Sequence, residues 1–172
     1  MKEMSFSEEM ARYSELLQQR SFAYSEAWKR GFRPLSTRTV NPMLGAAKRL
    51  MQEAGFSVCE RSVDMPPFVM VAQSEEAKAY LAERQAHGTY SWGVCLVKDE
   101  LMDDVMVHEL VHHLQGLWTQ DMPSDKSIPY QQRWEESQAF LIQRAYREER
   151  NPRSFIVRLK HIWSGFTVPC CD

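Results

Sequence analysis

The stretch HELVHHLQ, from His108 to Gln115, sets two histidines four positions apart with a glutamate directly after the first. On a helix turning about 100° per residue, His108 and His112 point within about 40° of each other, one turn apart. Two imidazoles so placed can bind one divalent ion, and zinc at about 2.0–2.1 Å suits this donor set. Glu109 lies about 100° round from His108. It is poorly placed to share the ion but can reach a water held beside it. That is the arrangement of a general base next to a Lewis acid, the chemistry of carbonyl hydrolysis. The bland alternative is a helix that happens to be rich in histidine. The motif's setting, on a strongly helical segment directly after a strand-like one, favours the metal.

A catalytic zinc takes three protein ligands and keeps one position open. His87, beside Gly88, suits a solvated helix end, and His161 lies near the end of the sequence. The better source is the helical stretch QQRWEESQAFLIQRAY (131–146), which returns after one polar loop. Two glutamates compete there. Glu136 shares a helix face with Ala139, Phe140 and Gln143, and the small Ala139 lets two helices approach closely at the metal. Glu135 shares its face with Gln138, Ile142 and Tyr146. Glu136 is therefore preferred as third ligand, with Glu135 as the alternative. His113, the extra histidine, reads as a surface residue more readily than as a support for the ligands.

HELVH (108–112) followed by the E-x-x-A element Glu136–Ala139 resembles the zincin-like metallopeptidases in their gluzincin arrangement. It is particularly similar to small bacterial and phage zincin-like domains in which a histidine-rich HELVHHLQ helix precedes a glutamate helix. The resemblance covers about residues 91–147. It implies His108, His112 and Glu136 as ligands of one zinc per chain and Glu109 as base. It also implies a small sheet packed on the active-site helix, with an edge strand lining the substrate cleft, for which SWGVCLVKD (91–99) is the candidate. The sequence departs from larger members at Phe140, where they often carry an aspartate. No third histidine of the metzincin kind follows His112. Tyr130 and His161 are candidates for stabilising the transition state.

These residues need a scaffold, and the pattern supplies helices at 6–20, 42–55, 74–88, 103–119, 131–149 and 153–163. The stretch 21–42 reads as a short helix and a linker, with Pro42 in the first turn of the helix it opens. Strand-like pieces fall at 57–63, 68–73 and 91–99. Val107, Leu110, Val111, Leu114, Leu117 and Trp118 form the apolar face of the motif helix. Three strand-like pieces ahead of a helical half predict an α+β fold, and the resemblance implies a zincin-like domain, placed over 41–172, with a short, mostly antiparallel sheet on the two site helices. Residues 1–40 are expected to form an N-terminal helical extension, which could dock a protein partner. Trp118 and Trp134 are expected to pack the two site helices together.

The chain has 172 residues, 44% hydrophobic, and a net charge of −2. That suits one globular domain, with no basic excess for nucleic acid and no apolar run long enough to span a membrane. Without a signal-peptide core at the N-terminus, a cytoplasmic protein is expected, or a virion component. Cys59 and Cys95 read as buried thiols; the Cys170–Cys171 pair has no metal-site spacing. Two functions remain. One is a zinc peptidase acting on peptide or protein substrates. The other is a non-proteolytic structural or binding module, such as a phage virion or assembly component, in which zinc only stabilises the fold.

Overall fold

A computed structural model describes residues 5–117 and 127–150. Trp118, the helix expected at 153–163, His161 and the Cys170–Cys171 pair lie outside the described residues. The elements run α1 (Phe6–Lys29), β1 (Phe32–Pro34), α2 (Thr37–Glu53), α3 (Glu60–Asp64), β2 (Phe68–Ala72), α4 (Glu75–Glu83), β3 (Gly88–Ser91), β4 (Val94–Val97), α5 (Asp103–Leu114) and α6 (Trp134–Arg150). A single 3₁₀ turn, Tyr130–Gln132, leads into α6.

The fold is α+β, with a four-stranded sheet in the order β1-β2-β4-β3. β1/β2 and β3/β4 are antiparallel, but the central β2/β4 pair is parallel, so the sheet is mixed. Both faces of that central pair are covered. Val69, Val71, Cys95 and Val97 join one core with residues of α2, α5 and α6. Met70, Ala72, Val94 and Leu96 join a second core with Ala27, Phe32, Ala77 and Leu81. Successive side chains of a strand point to opposite faces. Strands buried on both faces therefore read as continuous apolar runs, here FVMVA and VCLV.

Several expected boundaries move. α1 is one helix of 24 residues, begun by a capping box between Ser5 and Glu8, with no break at Ser21. α2 starts earlier than expected: the Ser36 side chain accepts from the Thr39 N–H, and Pro42 lies inside the helix and not in its first turn. The expected boundary between residues 40 and 41 thus falls within α2. β1 was not foreseen. It is three residues ending in proline, and it lies on a sheet edge, where a missing N–H is tolerated.

The strand expected at 57–63 is instead the short helix α3. Its residues close off the end of α5: the Cys59 N–H donates to Leu114 O at 2.8 Å and the Ser62 hydroxyl to His113 O at 2.6 Å. The last carbonyls of a helix have no partner within it. That tertiary demand sets the local conformation, and weak alternation in SVCERSV carries no trace of it. Nor is 91–99 one edge strand. Ser91 ends β3, Trp92 and Gly93 form a two-residue hairpin turn with φ of 51° and 75°, and β4 lies inside the sheet. Among the described residues, no helix is long and apolar enough to cross a membrane.

Candidate metal centre

α5 and α6 pack as an antiparallel pair. At one end, Asp104 of α5 accepts from Gln143 at 3.0 Å and from the Arg147 Nε at 3.1 Å, while Arg150 pairs with Asp103. At the other, the Gln115 side chain, just past α5, reaches the first turn of α6. Ala139 is fully buried between them, as its small side chain requires. α5 itself is buried almost all round: Met106, Val107, Leu110, Val111 and Leu114 fill the core, and the polar side chains from His108 to His113 are enclosed as well.

The helix pair brings three donors to one point. His108 Nε2 lies 3.2 Å from His112 Nε2 and 3.2 Å from Glu136 Oε2, and His112 Nε2 lies 3.5 Å from the same oxygen. Ligands at about 2.0–2.2 Å in tetrahedral array stand roughly 3.3–3.6 Å apart. The triangle thus has the size a small divalent cation needs, and its chemistry, two imidazole nitrogens and a carboxylate oxygen, fits one. Among the described residues, His108, His112 and Glu136 form a buried group that could hold a metal ion. Glu135, the alternative third ligand, is buried in the first turn of α6 but is not part of this group.

The electrostatics suit a carboxylate that stays charged. Burial works against ionisation of Glu136. The neighbouring His108 and His112 rings and the Tyr130 hydroxyl outweigh it and bring the pKa down to about 2. His112 is pulled both ways, lowered by burial but raised on balance by Glu136 and Glu109. The Tyr130 hydroxyl, in the 3₁₀ turn, is hydrogen-bonded to the Glu136 carboxylate. Phe140 sets its ring edge-on to His108, with centroids 4.7 Å apart.

These residues line a cleft of about 690 Å³, whose opposite wall is β3 with the residues before it, from Arg84 to Tyr90. The sheet edge beside the donors is thus Gly88–Ser91, and not the 91–99 segment. Glu109 lines the same cleft and is buried. Desolvation keeps its carboxyl above the ordinary carboxylate range, against the opposing pull of His112 and His108.

Gly88, expected to end a helix, opens β3 and faces this carboxylate. A Cβ there would lie 2.7 Å from Glu109 Oε1 and 2.8 Å from Val105 Cγ1. Gly88→Ala must therefore displace Glu109 or Val105, the side chains nearest the new Cβ. The expected result is unchanged metal content and, for a hydrolytic site that uses Glu109 as its base, a rate about 100-fold lower. Elemental analysis beside a rate measurement checks it.

His113 is not the surface residue expected. It is fully buried, and its Nε2 donates to Ser62 O at 3.1 Å and Met65 O at 2.8 Å. Its Nδ1 takes the Tyr90 hydroxyl at 3.1 Å. Burial holds its pKa down at about 4, so the ring is neutral and serves to pin α3 and β3 to α5. Sequence reasoning missed Gly88, Gln115 and this role of His113. A histidine on the strongly apolar helix was the one available signal.

Comparison with protein-family models, with curated proteins and with solved structures finds no match for this chain.

Proposed function

We propose that this protein is a zinc-dependent hydrolase of peptide bonds, with a zincin-like arrangement of HExxH helix, glutamate helix and edge strand. The observation that carries the reading is the triangle of His108, His112 and Glu136 donors, edges 3.2, 3.2 and 3.5 Å, open to a cleft that also holds Glu109. A site that only braced two helices would need neither the cleft nor a second carboxylate raised toward neutrality.

At this site a bound zinc would supply a water of lowered pKa and a polarised carbonyl. His108, His112 and Glu136 would hold it. Glu109 takes a proton from the attacking water and delivers it to the leaving amine. The Tyr130 hydroxyl, bonded to Glu136, is 52% exposed as a residue and can turn toward a developing oxyanion. Among the described residues β3 is an edge strand, against which an extended peptide can pair.

Zinc-loaded protein is expected to cleave an unfolded polypeptide such as reduced, alkylated casein, and 1,10-phenanthroline should stop it. Fragments resolved by mass spectrometry are the readout. Stoichiometric zinc without cleavage of any unfolded substrate would favour the non-proteolytic binding module instead.

A further inference from the structure

Gln115 does more than end α5. Its side-chain nitrogen lies 2.9 Å from Glu135 O and 3.0 Å from Gln138 Oε1. A backbone carbonyl can only accept, so the end of the amide facing it must be the NH₂. The other end is then the carbonyl oxygen, Oε1, and it lies 3.0 Å from His112 Nδ1. An amide oxygen cannot donate. His112 therefore carries its proton on Nδ1 and, when neutral, leaves Nε2 bare. Nε2 is the atom that faces His108 and Glu136. The other imidazole has no such support: among the described residues His108 Nδ1 is buried without a hydrogen-bond partner.

We propose that Gln115 is a positioning residue of the metal centre. It holds His112 in the Nδ1–H tautomer, and it ties the end of α5 to the first turn of α6, which carries Glu136. One side chain thus prepares two of the three donors, on two helices. The inference rests on the metal-centre reading. A partner on the far nitrogen of a ligating histidine fixes ring orientation and raises ligand basicity, and its loss commonly costs 10–100-fold in metal affinity.

Two variants separate the two parts of the role. Gln115→Leu removes both. Gln115→Glu keeps an acceptor for His112 Nδ1–H but gives up the donors to α6. Zinc affinity is read by competition with a chromophoric chelator. The His112 tautomer is read from long-range ¹H–¹⁵N spectra of the metal-free chain at alkaline pH, and amide spectra establish folding. The wild type should show the Nδ1–H tautomer. Gln115→Leu should give a tautomer mixture and bind zinc about 10–100-fold more weakly. Gln115→Glu should keep the tautomer and most of the affinity while melting at a lower temperature. An Nε2–H tautomer in the wild type overturns the inference, and so does a folded Gln115→Leu chain with wild-type affinity. Should Gln115→Leu fail to fold, the wild-type tautomer and the Gln115→Glu affinity still decide. A wild type that takes up no zinc removes the metal centre itself, a failure distinct from indifference to Gln115.

Discussion

A Glu109→Gln protein is expected to hold zinc as tightly as the wild type and to hydrolyse peptides about 10²–10⁴-fold more slowly, the usual contribution of a general base. Glu109 is not one of the three converging donors, so the metal has no reason to leave. The amide matches the carboxylate in shape, which matters because Gly88 leaves no spare room against that side chain. What it lacks is the ability to accept a proton from water and hand it on. Burial penalises the wild-type carboxylate, and a neutral amide escapes that penalty. The metal-free variant should therefore melt no lower than the wild type. Activity falling while zinc content and melting temperature hold is the combined signature. Retained turnover would remove Glu109 from the mechanism.

His112→Ala is expected to fail differently. It deletes a donor, and it strips the Gln115 Oε1 of the N–H it accepts. A structural zinc site binds with about 10–16 kcal/mol over four ligands, so one ligand is worth roughly 3 kcal/mol, an affinity loss of about 100-fold or more. The consequence for folding is measurable. Zinc at 100 times its dissociation constant stabilises a folded protein by about 2.7 kcal/mol. Thermal melts of the wild type should therefore rise on adding zinc, and those of His112→Ala should barely move at the same concentration. Equal shifts in both proteins would mean that the ion binds elsewhere.

The parts of this centre written in local sequence were those set by spacing. The His108–His112 turn follows from helix geometry, and Glu136 was preferred to Glu135 because Ala139 lies one turn further on the same face. Both follow from a single helix seen alone. What escaped depends on a second element arriving. α3 is helical because α5 ends against it with unpaired carbonyls, a demand from some fifty residues away. Gly88 looked like a helix stop, since a glycine after a helical run usually is one. A Cβ at this position would instead crowd Glu109 and Val105 across the cleft. His113 looked exposed because it falls beside the apolar stripe of α5, yet α3 and β3 close over it. The parallel pairing of β2 and β4 was hidden because β3 intervenes in sequence and lies at the edge in space.

His108, His112 and Glu136 together are expected to bind one metal ion. Zinc content per chain, measured by elemental analysis after zinc loading and desalting, tests it most directly, with wild type and Glu136→Ala side by side. The account predicts one zinc per wild-type chain and a substoichiometric amount in the variant. A wild-type chain without stoichiometric metal, or a Glu136→Ala chain that keeps the full amount, would contradict it.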